Sequence, residues 1–205
     1  MDNFVITIAR GYGSGGKTIG QMLARELDIP FYDREIITLA SEDSGINEAL
    51  FGKADEKLKS SIFRPRTNVY KGGVIPPNSS DFVSEENLFN YQAKIIRQLA
   101  DTESCVIVGK CADYVLGDKK NVVKLFVYAD EKTCIKNVVD MYAISESDAK
   151  KRIDKIDKHR SDYYKYYTGS DWDKANNYDL CLNTGDMDFE TCLEIVKGYL
   201  KIKLR

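Results

Sequence analysis

The chain has 205 residues, 43% of them hydrophobic and 30% charged, which is enough to bury one full core and too polar for a membrane-embedded protein. A formal net charge of −2 gives no global pull toward nucleic acid or a membrane surface, and the single histidine, His159, argues against a multi-histidine metal site or a Ser-His-Asp triad. Five scattered cysteines without a C-x-x-C pair, no leader pattern and no long apolar run lead us to expect a reduced, cytoplasmic protein.

The first predicted element is a buried strand, because Phe4-Val5-Ile6-Thr7-Ile8-Ala9 is apolar and β-branched. It runs into Gly11-Tyr12-Gly13-Ser14-Gly15-Gly16-Lys17-Thr18, a complete G-x-x-x-x-G-K-[ST] phosphate-binding pattern. Gly11 and Gly16 let the backbone approach a polyphosphate closely, and the loop's N–H groups, with Gly13, Ser14 and Gly15 between them, form an anion nest continued by the next helix. Lys17 places a charge on the β- and γ-phosphates of a nucleotide, and the Thr18 hydroxyl is a natural Mg²⁺ ligand. Ile19, Met22, Leu23 and Leu27 then recur at helical spacing, predicting a helix over 16–27. The same stretch contains Gly11-x-Gly13-x-x-Gly16, a dinucleotide fingerprint, with Asp33 near the place of a ribose-binding acid. The Lys17-Thr18 pair decides for the phosphate loop, since a dinucleotide loop has no use for it.

A short strand at Phe31-Tyr32 ends in Asp33. Two roles are open to that carboxylate: it faces a second substrate or a Mg²⁺-bound water, or it caps the predicted helix over 34–42. Arg34 meets an acceptor phosphate or is an exposed first-turn arginine. Residues 60–84 break the periodicity with Arg64-Pro65-Arg66, Gly72-Gly73 and Pro76-Pro77, the mark of a lid or of a disordered segment. A helix over 85–101 and a strand over 105–109 follow, and then Gly109-Lys110-Cys111-Ala112-Asp113. Lys110 and Asp113 either recognise an acceptor at that end of the sheet or stand as a solvated charge and a surface helix residue.

Strand 122–129, helices 130–142 and 146–166, strand 179–183 and helix 188–202 complete the chain. The stretch from Lys150 to Tyr167 is the densest in charge and aromatics. Such runs are usually solvated helix faces. Phosphoryl transfer, however, needs cations over the γ-phosphate, and Arg160 and then Lys158 are the candidates. Tyr163, Tyr164, Tyr166 and Tyr167 read as packing, and His159 as solvated. Strands alternating with helices predict a single α/β domain over 1–205 with a parallel sheet of about five strands, and ligands at the strands' carboxyl ends.

Taken together, these motifs resemble the bacterial cytidylate kinase-like family, a branch of the nucleoside monophosphate kinases with the P-loop NTPase three-layer fold. The resemblance rests on the loop at 11–17, Tyr32-Asp33-Arg34-Glu35, Val106-Ile107-Val108-Gly109-Lys110-Cys111-Ala112-Asp113, and Asp157-Lys158-x-Arg160-x-x-Tyr163-Tyr164 with Thr168, Trp172 and Asn177-Tyr178-Asp179-Leu180. It implies transfer of the ATP γ-phosphate to a small-molecule nucleotide such as CMP, with Mg²⁺, and with no nucleic-acid or membrane partner. Lys17, Arg160 and Asp33 are then the expected catalytic residues. Asp33, Arg34, Lys110, Asp113 and Lys158 are expected to bind the acceptor. A helical lid over 150–170 and an acceptor-binding insertion after the second strand are implied as well. The alternative is a nucleotide-binding regulatory protein with little transfer activity, signalling through residues 60–84. Two departures stand out: Lys110 replaces the arginine the family usually carries, and Ile153 stands where an upstream lid arginine is usual, with Arg152 beside it.

Overall fold

In the computed structural model, residues 3–57 and 69–204 are described, residues 55–57 by backbone alone. The strands β1 (Val5–Arg10), β2 (Phe31–Tyr32), β3 (Cys105–Val108), β4 (Val122–Tyr128) and β5 (Leu180–Asn183) form one parallel sheet in the order β2-β3-β1-β4-β5. Helices α1 (Gly16–Leu27), α2 (Glu35–Ser44), α3 (Glu48–Lys57), α4 (Glu85–Thr102), α5 (Ala112–Val115), α6 (Glu131–Tyr142), α7 (Glu146–Thr168) and α8 (Phe189–Lys203) connect and cover it.

Alternation along the central strands splits the core in two. Ile6, Ile8, Val106 and Val108 face α1 and α8, where Ile19, Leu23, Leu193 and Val196 are buried. Val5, Cys105 and Ile107 face the other way, against α2, α3, α4, α5 and the C-terminal part of α7. Each fully buried Ile or Leu contributes roughly 1.5–3 kcal/mol, so two apolar faces hold the strands in register. Val5 pairs with both Cys105 and Val122, which brings the carboxyl ends of β1, β3 and β4 level. A dinucleotide-binding sheet would place its second strand beside its first. Here β3 lies between them, and the connections leaving β1 and β3 run toward opposite edges of the sheet, so the crevice opens at Arg10 and Gly109.

The predicted elements match the observed ones to within about two residues at each end, with two further α-helices and a 3-10 turn at Ala175–Asn177 added. Helix α3 carries Gly52 at its centre and shows weak amphipathicity, yet the fully buried Phe51 anchors it in the core. Helix α5 is a single turn after β3. Of the irregular stretch 60–84, residues 60–68 with Arg64 and Arg66 lie outside the described residues. Residues 69–84 are fastened. The Asn87 amide donates to the carbonyls of Ile75 and Phe82 and accepts from the Ile75 N–H, and the Tyr70 N–H donates to the Tyr167 carbonyl. The stretch 150–168 belongs to the one continuous helix α7, whose Tyr164 and Tyr167 are core residues. Among the described residues no helix is long and apolar enough to cross a membrane.

Candidate active site

Helices α4, α6, α7 and α8 each begin at a Ser or Asp whose side chain accepts a first-turn N–H, from Asn87, Thr133, Asp148 and Thr191 respectively. Helix α1 does not. Its N-cap is Gly15, at φ 78°, where a Cβ would fall 2.4 Å from the Phe189 ring. The loop's carbonyls are drawn outward instead. Gly11 O accepts from Ser14, Gly13 O from the Asn137 amide at 2.8 Å, and Ser14 O from the Thr184 hydroxyl at 2.8 Å. Among the described residues, none accepts from the N–H groups of Gly13, Gly15, Gly16, Lys17 or Thr18. This donor set, with the helix dipole behind it, fits a polyphosphate. Lys17 and Thr18 are both exposed at the rim.

Asp33, at the end of β2, does not cap α2; the cap position is Arg34, without a side-chain bond. The Asp33 carboxylate instead accepts from Lys17 Nζ at 2.8 Å and lies 3.8 Å from the Arg10 guanidinium. The Asp33 carboxylate thus stands against the lysine of the phosphate loop rather than at the cap of α2.

On the other side of the loop stands α7. Both oxygens of Asp157 accept from the Tyr12 N–H, at 2.9 and 3.0 Å. Arg160 donates to Asp157 at 3.1 Å and to the Arg10 carbonyl at 3.0 Å. Arg152 donates to the Tyr12 hydroxyl and lies over the Tyr142 ring. Burial holds the Asp157 carboxyl above the usual carboxylate range, despite the Tyr12 N–H and Arg160. Burial also lowers Arg160. Arg10 is pushed down to about 10, by burial first and by the like charge of Arg160 second. Two guanidiniums thus share one corner of the site.

After β3 the chain turns through three successive left-handed residues, Gly109 (φ 78°), Lys110 (φ 57°) and Cys111 (φ 52°). A Cβ on Gly109 would fall 2.6 Å from Arg10 Nη1, so the turn is closed around that arginine. Asp113 is not a surface residue: it is 5% exposed and accepts from the Tyr164 hydroxyl at 2.6 Å. Burial raises Asp113, and burial with the Asp113 charge holds Tyr164 protonated, so Tyr164 is the donor.

A cavity of about 650 Å³ joins these parts. Arg10, Asp33, Arg34, Lys110, Asp113 and Arg160 line it, with His159, Tyr163, Tyr164 and Trp172 forming an aromatic wall. Lys158 is elsewhere. Its side chain is 70% exposed and pairs with Asp162 one helical turn on, so the structure does not bring it to the cavity. His159 is half-buried on the wall rather than fully solvated. Sequence reasoning passed over Arg10, Asp157 and Tyr164. The first lies one residue before the glycine pattern, and the other two lie inside the basic aromatic stretch, where only helical phase tells a site-facing residue from a solvated one.

Among the described residues there is no cluster of three or more His, Cys, Asp or Glu side chains able to hold a metal ion. The exposed Thr18 hydroxyl could serve as one protein ligand to a Mg²⁺ carried largely by phosphate oxygens.

Comparison with known proteins places this architecture. A solved structure of an uncharacterized protein from Eubacterium ventriosum superposes with a TM-score of 0.71 at 26% identity, covering 97% of this chain and 99% of that one. Shikimate kinase from Bacteroides thetaiotaomicron superposes at 0.55 with 12% identity over 97% and 98% of the two chains. A gluconokinase from Sinorhizobium meliloti does so at 0.51 with 12% identity over 98% and 93%. The fold is therefore that of the P-loop kinases. No curated protein sequence matches the chain. The model of the cytidylate kinase-like family matches residues 5–186, from the first strand to beyond the last, and the chain belongs to that family.

Proposed function

We propose that the protein transfers the γ-phosphoryl group of ATP to a small-molecule acceptor, a nucleoside monophosphate such as CMP. The observation that carries this reading is the continuity of the phosphate loop with the cavity, across Lys17, Asp33 and Arg10. Family membership supports it. MgATP, when bound, supplies the γ-phosphoryl group, which passes to an acceptor oxygen as the bond to the ADP oxygen breaks. Gly11, Gly13, Ser14, Gly15, Gly16, Lys17 and Thr18 would hold the donor phosphates, with the Thr18 hydroxyl toward Mg²⁺.

The chain's own contribution is positioning and charge. Lys17 offers an ammonium held in place by Asp33, and Arg160 a guanidinium held by Asp157. Lys110, Arg34 and Asp113 would receive the acceptor. A monophosphate oxygen is already ionised at pH 7, so Asp33 orients Lys17 and no proton has to be removed; a hydroxyl acceptor would instead require Asp33 as its base. The test is ATP-dependent ADP release across a panel of nucleoside monophosphates and small alcohols, with Lys17→Ala as control. Preference for CMP, abolished in that variant, is expected. Tight nucleotide binding without transfer to any acceptor would refute the proposal.

A further inference from the structure

A second cavity, of about 720 Å³, shares only Asp113 and Tyr164 with the first. No residue of the phosphate loop lines it, and neither do Arg10, Asp33 or Arg160. Its size suits a small-molecule ligand. Two of its charges are already answered. Arg97 donates from both terminal nitrogens to Asp118, at 3.3 and 3.2 Å, and Asp113 accepts from Tyr164. Lys71, which is exposed, and Lys124, half-buried on β4, are not: among the described residues neither side chain donates a hydrogen bond or forms an ion pair. The two lysines outnumber the single Asp113, so the lining keeps a positive surplus whether or not that carboxyl is ionised. Beside Lys71 the chain turns through Gly72 (φ 84°) and Gly73 (φ 89°). A Cβ at either would meet open space, so these glycines answer to backbone conformation and not to packing. The turn is fastened on both sides, by the Tyr70 N–H on the Tyr167 carbonyl at 2.9 Å and by the Ile75 N–H on Asn87 at 2.6 Å. Its own N–H groups, at Gly72 and Gly73, have no acceptor among the described residues. Successive free amides in such a turn form a concavity for an anion.

We infer that this cavity is a second binding site, for a small molecule whose phosphate group rests on Lys71, Lys124 and the Gly72 and Gly73 amides and takes no part in phosphoryl transfer. The donor set decides between anions. A planar carboxylate is best matched by a guanidinium fork, and the one fork in this cavity, on Arg97, is occupied by Asp118. What remains is two point charges and two amides on separate elements, which suit the several acceptor oxygens of a tetrahedral dianion.

The experiment follows the amides of the site itself. Proton–nitrogen NMR spectra of the full chain are recorded with Mg²⁺ and adenylyl imidodiphosphate present, so that the phosphate loop is occupied. Inorganic phosphate is titrated at constant ionic strength, with succinate and sodium chloride as comparators, into the native chain, Lys71→Ala and Lys124→Ala. The Gly72 and Gly73 signals are expected to shift and saturate with phosphate, and each substitution to weaken that binding by at least about fivefold. Succinate, a dianion with planar carboxylates, is expected to bind at least about fivefold more weakly than phosphate in the native chain. Lys71 is exposed, so its variant keeps the test open if Lys124→Ala is poorly folded. Shifts that fail to saturate, or that sodium chloride reproduces, overturn the site. Unchanged phosphate affinity in Lys71→Ala overturns it as well, and succinate binding as tight as phosphate overturns the ligand class. The signals are read without turnover, so a failed transfer assay would sink the proposed reaction and leave this site standing.

Discussion

Replacing Tyr164 by Phe removes one oxygen and little volume, and it isolates the buried carboxylate at the wall of the cavity. Asp113 is 5% exposed and receives the Tyr164 hydroxyl at 2.6 Å. A hydrogen bond to a charged group contributes about 1.5–3 kcal/mol, so we expect about 2 kcal/mol where the carboxylate is ionised. For a domain of this size that corresponds to a fall in melting temperature of roughly 4–8 °C. The pH dependence is the sharper signature. Burial already raises Asp113, and a carboxyl with a raised folded pKa stabilises the fold fully below its unfolded value and loses that contribution as pH rises through the folded one. Tyr164 bonds to the charged form and opposes the rise, so Tyr164→Phe raises the folded pKa further. The penalty is therefore full above the raised folded pKa and shrinks as the pH falls through it. Urea unfolding followed by circular dichroism at pH 8, 6.5 and 5 measures it. A penalty that stays constant over that range, or one below about 0.5 kcal/mol at pH 8, would refute the assignment of Tyr164 as the partner of a buried carboxylate.

Other consequences can be checked with single substitutions. Gly15→Ala forces a Cβ into a left-handed residue against the Phe189 ring; a loss of about 1–3 kcal/mol in denaturant unfolding is expected, together with weaker nucleotide binding. Asp157→Ala removes the acceptor of the Tyr12 N–H and the partner of Arg160, so hydrogen exchange should quicken at Tyr12 and along the central turns of α7, and stability should drop by about 1–3 kcal/mol. Lys158→Ala should change stability by less than about 0.5 kcal/mol and leave transfer rates within twofold, because the pair with Asp162 is exposed; a large loss of transfer would return Lys158 to the site.

The phosphate loop was legible in the chain because its chemistry is local: eight consecutive residues supply glycine, lysine and hydroxyl at fixed offsets, and the flanking periodicities specify strand before and helix after. The α/β class and nearly every element boundary followed from the same short-range patterns. Asp33 and Lys110 were candidates because each follows a strand within two residues, and Asp113 because it lies in the short helix just after β3; in a parallel sheet those positions share one edge. What escaped depends on distance in sequence. Helix α3 exists because Phe51 reaches a core assembled from remote helices. Arg10 matters because Gly109, 99 residues later, leaves room for its tip, and Asp157 because it meets the Tyr12 N–H 145 residues away. Of the two readings open to Asp113, the surface helix residue is excluded because α7 lays Tyr164 over it. Local sequence thus determined the phosphate loop of the candidate site. The cavity beside it was decided by tertiary structure, since the burial and pairing of a charge depend on which strands and helices the fold sets beside it.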